Sequence, residues 1–274
     1  MTYKLALAFA GLNQTQPWNE QIAYDTIENL GKSKKAEVIN GFIFIDAESP
    51  EPYASKLEER INRAGGKYIR DKFRGIGVHQ RDLFERAWDM GGVDETYYLE
   101  GDSKPDLALP QNMALWQSVY EKNPQVDINI PGRSEKTLLT LPVEQRVSEM
   151  HGINVPMNMF LRFYRYRGEM LDFGWGPKAV KRDTLKYFAA TYHKRVDGEE
   201  VELTDWAHPY VAMIHVAHEG RRFGGIRIDT VHPPERKKLE EGDYVAEQKR
   251  LRNVQQIVPV CFEHFCELNG IPIL

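Results

Sequence analysis

Along the first hundred positions, short continuous apolar runs alternate with longer mixed stretches, which is the pattern of buried strands separated by helices. Leu5-Ala6-Leu7-Ala8-Phe9-Ala10-Gly11 reads as a buried strand, Glu20 to Leu30 as a helix, Gly41-Phe42-Ile43-Phe44-Ile45-Asp46 as a second strand and Tyr53 to Ala64 as another helix. A basic glycine loop, Arg70-Asp71-Lys72-Phe73-Arg74-Gly75-Ile76-Gly77-Val78, leads into a helix from Gln80 to Met90 that Gly91-Gly92 ends. A third apolar strand closes at Tyr97-Tyr98-Leu99-Glu100, so the order is β-α-β-α-α-β. Strands alternating with helices of about ten residues or more imply an α/β fold with a mostly parallel sheet covered on both faces.

The second half is less regular. Asn129-Ile130-Pro131-Gly132-Arg133-Ser134 reads as a divide between a first half, 1–130, and a second, 131–274, as two lobes of one domain. Pro142 to Met150 reads as a helix opened by its proline, and Glu240 to Leu268 as a long terminal helix interrupted near Pro259. There is no internal repeat or low-complexity tract. The aromatic group Phe160, Phe163, Tyr164 and Tyr166 reads as core, and Arg236-Lys237-Lys238-Leu239-Glu240-Glu241 as a solvated face.

Composition narrows the class. The chain has 274 residues, 42% hydrophobic and 28% charged, enough for one large domain with a full core. No window approaches the roughly 20 apolar residues of a membrane span, and the N-terminus lacks the apolar core of a signal peptide. Cys261 and Cys266 lie close together in an expected helix, which predicts reduced thiols and a cytoplasmic location.

The chemistry concentrates where the third strand stops. Glu100 and Asp102 are two residues apart, so in extended backbone their carboxylates point to one side and can converge on a hard divalent cation bridging phosphate oxygens. Gly101 between them is expected to let a ligand approach the backbone. In parallel sheets ligands sit beyond the carboxyl ends of the strands. Ala10-Gly11-Leu12, Asp46 and the Glu100/Asp102 pair all fall at such ends.

These motifs in this order resemble the nucleotide-sugar half of a GT-A glycosyltransferase, a Rossmann-like fold. The second half adds to the likeness. Asp172-Phe173-Gly174-Trp175-Gly176-Pro177-Lys178-Ala179-Val180-Lys181-Arg182-Asp183 is similar to the superfamily's acceptor-side segment, and Asp229-Thr230-Val231-His232 falls where many members place a metal-binding histidine. The resemblance covers residues 4 to 257. It departs from the superfamily's Asp-x-Asp metal motif in having Glu100 at the first position.

What the resemblance implies is transfer of a sugar from a UDP- or GDP-linked donor to a hydroxyl acceptor. A Mn²⁺ or Mg²⁺ ion held by Asp102, Glu100 and His232 would neutralise the leaving diphosphate. Arg74 and Arg81 are expected at the diphosphate, Ala10, Gly11 and Asp46 around the nucleoside, and Gly174, Trp175, Gly176 and Lys178 on the acceptor side. Asp205 is the candidate general base if configuration inverts, or an orienting group if it is retained; it is equally placed to cap the following helix. The acceptor expectation is a small anionic molecule or a hydroxymethylated DNA base, because Arg162, Arg165, Arg167, Lys178, Lys181, Arg182 and Lys186 outnumber Glu169, Asp172 and Asp183 although the whole chain carries net charge −4. Two other readings stand beside it. A sugar-phosphate nucleotidyltransferase would open with a glycine-rich, Arg-bearing loop, which Gly11-Leu12-Asn13-Gln14-Thr15 is not; a non-catalytic nucleotide-sugar-binding protein would fit the Glu-Gly-Asp departure. His208, His215 and His218 lack the partners of a dedicated zinc site.

Overall fold

The computed structural model describes residues 2–11, 18–101, 105–232, 237–238 and 240–272. The first half is built from β1 (Lys4–Ala10), α1 (Trp18–Lys35), β2 (Gly41–Ala47), α2 (Tyr53–Arg63), β3 (Lys67–Asp71), α3 (Ile76–Asp89), β4 (Glu95–Glu100) and α4 (Pro110–Lys122). The second half holds β5 (Ile128–Arg133), α5 (Glu135–Thr140), α6 (Val143–Val147), a π-helical segment (Ser148–Asn154), α7 (Val155–Phe163), β6 (Lys178–Lys181) and α8 (Arg182–Ala189). A hairpin of β7 (His193–Val196) and β8 (Glu199–Glu202), then α9 (Ala207–His218), β9 (Phe223–Ile228) and α10 (Tyr244–Leu268), complete it.

Seven strands form one sheet in the order β3-β2-β1-β4-β6-β5-β9. All its pairings are parallel except those of β6, which runs antiparallel to both β4 and β5. The mostly parallel α/β expectation is therefore correct, with one reversed strand at its centre. Side-chain alternation distributes the core to the two faces. Leu5, Leu7, Phe9 and Tyr98 face the side covered by α3, α8, α9 and α10, whereas Ala6, Ala8, Ala10, Tyr97 and Leu99 face α1, α2 and α4. Three small alanines in a row let the helices of that second face approach closely. Nearly all of α9 is buried, consistent with its apolar sequence on every side.

Four expectations need correction. The basic loop is preceded by a strand, β3, hidden in the sequence because Lys67-Tyr68-Ile69-Arg70-Asp71 is an edge strand with charged ends. Asn129–Arg133 is no linker but part of β5, paired residue by residue with β9 and buried throughout, so the 130/131 boundary falls inside a strand. The helix begun after Pro142 does not stop at Met150; it continues through the π segment into α7. Finally, α10 begins at Tyr244 and passes Pro259 without a break. Pro259 and Gln255, whose carbonyl loses its helical partner there, are both exposed, so water can take the missing bond. Of the aromatic group, Phe160 is buried and Tyr164 and Tyr166 pack against the core, but Phe163 is exposed.

Candidate functional site

The parallel strands release the chain at one edge of the sheet, and a cleft of about 190 Å³ opens there. Glu100 from the end of β4, Arg133 from the end of β5, Gly174, Trp175 and Gly176 from the turn entering β6, and Thr230 to His232 after β9 line it. Its outer walls are α5 to the π segment on one side and the first half of α10 on the other, with Trp206 and Tyr210 of the α9 end between them. This is the carboxyl-edge position expected of a ligand site in such a sheet.

Local bonds fix the rim. Ser134 caps α5 by accepting from the Thr137 amide at 3.2 Å. The Thr137 hydroxyl donates to the Thr230 carbonyl at 2.8 Å and accepts from the Thr230 amide at 2.9 Å, so the chain leaving β9 is held against α5. Asp106 then accepts from the Val231 amide at 3.1 Å, which joins the segment after β4 to the segment carrying His232.

The floor holds a buried ionic network. Arg133 is 2% exposed and grips Asp172 with two side-chain nitrogens, both at 2.7 Å. Its third nitrogen donates to Glu149, which also accepts from Gln145 at 2.8 Å. Asn154 donates to Asp172 at 2.8 Å and accepts from the Gly174 amide at 2.6 Å. Burial alone would raise the Asp172 carboxyl, but the adjoining guanidinium and the hydrogen bonds hold it below the usual carboxylate range. Desolvation would likewise lower Arg133, and the Asp172 and Glu149 charges more than reverse this. Tyr210 donates to the Phe173 carbonyl at 3.0 Å; its hydroxyl is pushed up by burial, then by the Glu149 and Glu100 charges.

Three atoms of cleft-lining side chains are buried without a hydrogen-bond partner among the described residues: Nε2 of His232, one terminal nitrogen of Arg250 and the amide oxygen of Gln145. The Glu240 carboxylate stands 3.7 Å from His232 Nε2 and 2.8 Å from the other Arg250 nitrogen. Among the described residues no three His, Cys, Asp or Glu side chains group closely enough to hold a metal. Asp102 lies outside the described residues, but Glu100 and Asp106 on either side of it both line the cleft with His232. Two oxygen and nitrogen donors of the expected set thus share one cavity, and one presents an unpartnered imidazole nitrogen. That donor set fits a divalent cation accepting mixed carboxylate and imidazole ligation.

Of the described residues expected from sequence, the structure brings Glu100, Gly174, Trp175, Gly176 and His232 to the cleft, and not Ala10, Gly11, Asp46, Arg74, Arg81, Lys178 or Asp205. Asp46 is fully buried and accepts from the Ser49 amide at 3.0 Å and the Tyr68 hydroxyl at 2.7 Å, holding the turn after β2. Ala10 is fully buried, and Gly11 packs against the Ala47 carbonyl. Arg74 pairs with Asp71 at 3.0 Å and with Asp82, and Arg81 pairs with Glu202. Lys178 is buried with its ammonium 4.6 Å from the Tyr98 ring centre. Asp205 does not line the cleft: one oxygen accepts from the Ala207 amide at 2.9 Å at the start of α9, and the other pairs with Lys194 at 2.7 Å.

The glycines of the basic loop lie against the protein's own backbone. A Cβ on Gly75 would come within 2.3 Å of the Thr204 carbonyl oxygen, and one on Gly77 within 2.4 Å of the Asp205 carbonyl oxygen, so this turn is glycine because α3 starts against the chain entering α9. Gly101 likewise lies against Phe44 and the Phe9 carbonyl rather than open space. The basic surplus from Arg162 to Lys186 does not line the cleft either; its cations are Arg133, Lys249 and Arg250. Arg133, Glu149, Tyr210 and Arg250 were not singled out from sequence. The one signal that could have found Arg133 is its place at the end of a strand, which Pro131 and Gly132 concealed.

His208 Nε2 donates to the Ala190 carbonyl, 2.8 Å away, and burial lowers the pKa of the ring to about 4. His215 stands 3.4 Å from His264 and is also lowered to about 4, first by burial and then by the neighbouring histidines. Cys261 and Cys266 are buried free thiols. No described helix is long and apolar enough to cross a membrane.

No family model and no curated protein matches this sequence. In three dimensions the chain superposes on glucosyl-3-phosphoglycerate synthase from Mycobacterium tuberculosis in complex with Mn²⁺ and UDP-glucose, with TM-score 0.59 and 12% identity, over 99% of this chain and 80% of that one. The same enzyme with Mn²⁺, UDP and glucosyl-3-phosphoglycerate gives TM-score 0.58 at 12% identity, over 99% and 81%. A mycobacterial protein gives 0.57 at 13%, over 99% and 76%. At such identities the likeness is one of fold alone, a Rossmann-like α/β sheet flanked by helices of the GT-A type that the sequence resemblance implied.

Proposed function

We propose that this chain is a metal-dependent glycosyltransferase that moves a sugar from a UDP- or GDP-linked donor to the hydroxyl of a small anionic acceptor. One observation carries the reading. At the carboxyl edge of a GT-A-type sheet, Glu100 and His232 enter one cleft from different strands, and the His232 Nε2 there is buried and unpartnered. The fold neighbour was solved with Mn²⁺ and UDP-glucose, which supports the donor class.

Asp102, Glu100 and His232 would hold Mn²⁺ or Mg²⁺, which supplies neutralisation of the diphosphate as the glycosidic bond breaks. The chain's own residues do the rest. Arg250, with one nitrogen unpartnered in the cleft, and Lys249 present positive charge to phosphate or carboxylate oxygens. Glu149, fixed by Arg133 and Gln145, offers a carboxylate whose orientation is set before any substrate arrives. Trp175 and the turn Gly174–Gly176 shape the wall for a sugar or acceptor. Asp205 acts in this reading by positioning the first turn of α9, and with it Trp206 and Tyr210, rather than as a base.

The test is thermal denaturation with UDP, GDP and their sugars, each with and without Mn²⁺ or Mg²⁺. A ligand that binds only the native state raises the Tm by linkage, by about 2.7 kcal/mol of stability at a hundred times its Kd. A metal-dependent rise with one nucleotide, lost in Asp102→Asn, is the expected result. No rise with any combination overturns the proposal.

A further inference from the structure

The helical run from α6 through the π segment to α7 exposes a row of residues four apart: Val143, Val147, His151, Val155, Met159 and Phe163. Five of the six are apolar; Met159 is 64% exposed and Phe163 56%. At about 100° per residue a four-residue step drifts about 40°, so in an unbroken α-helix five such steps would carry the row some 200° round the axis. The wider turns of the π segment Ser148–Asn154 wind less per residue and keep the row on one side. The opposite side of the same run supplies Gln145, Ser148 and Glu149 to the cleft, so the row faces away from the catalytic region. Alongside, α10 packs through Phe265 against Phe163, with ring centres 4.8 Å apart, and adds exposed Phe262. The outward side of a surface helix is normally polar, and a continuous apolar row there marks a contact surface.

The charges beside this row identify what covers it. At its start, Glu144 is half-buried and forms no ion pair among the described residues. At its end, Arg162 is exposed and forms no ion pair among the described residues. We infer that the row is the contact surface of a homodimer, in which a second copy packs antiparallel across a two-fold axis at the row's midpoint. That operation sets Val143 against the partner's Phe163, Val147 against the partner's Met159 and Glu144 against the partner's Arg162. Because a two-fold interface is self-complementary, the unmatched acid and base pair twice and the apolar row buries itself.

Sedimentation equilibrium of the full chain tests this without recourse to activity. The expected mass at micromolar concentration is twice the 31.7 kDa of one chain. Met159→Glu, at an exposed position, should give a monomer with an unchanged circular dichroism spectrum. Glu144→Arg or Arg162→Glu alone should weaken association at least about tenfold, corresponding to 1.4 kcal/mol, and the double exchange E144R/R162E should restore it. A wild-type chain that is monomeric at 100 µM, a dimer indifferent to Met159→Glu, or a charge exchange without rescue overturns the proposal. A monomer that co-sediments with anionic phospholipid vesicles through this row would also overturn it and assign the surface to lipid.

Discussion

Arg133 at the cleft and the pair Arg74 and Arg81 at α3 look alike in sequence and differ in burial and in the carboxylates they hold. Arg133, at the cleft, is almost fully buried and spends its guanidinium on Asp172 and Glu149. Arg74 and Arg81, at the start of α3, pair with Asp71, Asp82 and Glu202 closer to solvent, and the Arg74 side chain is 47% exposed. Removing one partner of a buried ion pair strands the other charge in a poorly polarisable interior, whereas an exposed pair is replaced by water. The cleft floor is thus a rigid fixture, whereas Arg74 and Arg81 pair with carboxylates around the start of α3, outside the cleft.

The sharpest way to break this comparison is Arg133→Ala. It should cost about 3 to 5 kcal/mol in urea denaturation, because Asp172 is left buried with its charge unmatched; a loss under about 1 kcal/mol would mean the network is solvated. Acid should then expose a second buried group. The neutral form of His208 is favoured by burial, with its pKa at about 4 against 6.5 unfolded. Its contribution is fully present above about pH 6.5 and is lost as pH falls towards 4, worth roughly 3 kcal/mol at about 1.4 kcal/mol per pH unit. His208→Gln should flatten that part of the pH–stability curve. By contrast Arg74→Ala, at a side chain 47% exposed, should change stability by no more than about 1 kcal/mol and leave nucleotide binding unaltered; a loss of metal-dependent binding would restore it to the donor site. Smallest in stability is His232→Gln, which keeps most of the volume of this buried side chain and should stay within about 1 kcal/mol of the parent, while its metal-dependent Tm rise should fall.

Regular alternation made the first half legible. The apolar runs at Leu5 and Phe42 and the amphipathic stretches between them gave β1, β2, α1, α2 and α3 within a few residues, because fully buried parallel strands must be apolar on both faces. Elements that carry charge at their ends were missed: β3, whose Lys67 and Arg70 point outward at the sheet edge, and β6, four residues bounded by Lys178 and Lys181. The placement of Glu100 and His232 at one cleft was legible because Glu100 ends β4 and His232 shortly follows β9, at the carboxyl edge of the sheet. Arg133 and Arg250 were not, since their roles arise from the meeting of β5 with Asp172, and of α10 with Glu240, across distances no local pattern encodes. Gly101 was expected to admit a ligand to the backbone, and it lies against Phe44 and the Phe9 carbonyl, a packing that no local pattern encodes.

The reversed strand β6 has a consequence for how the chain is made. It sits between β4 and β5, so the four-stranded block β3-β2-β1-β4 offers an unpaired, apolar edge until Lys178–Lys181 has been synthesised. At about 5 to 20 residues per second, the stretch from Glu100 to Lys181 keeps that edge waiting on the ribosome for roughly 4 to 16 s. During that interval the edge can pair with another nascent chain, so slowing translation between these positions should raise co-translational aggregation more than slowing it after residue 181.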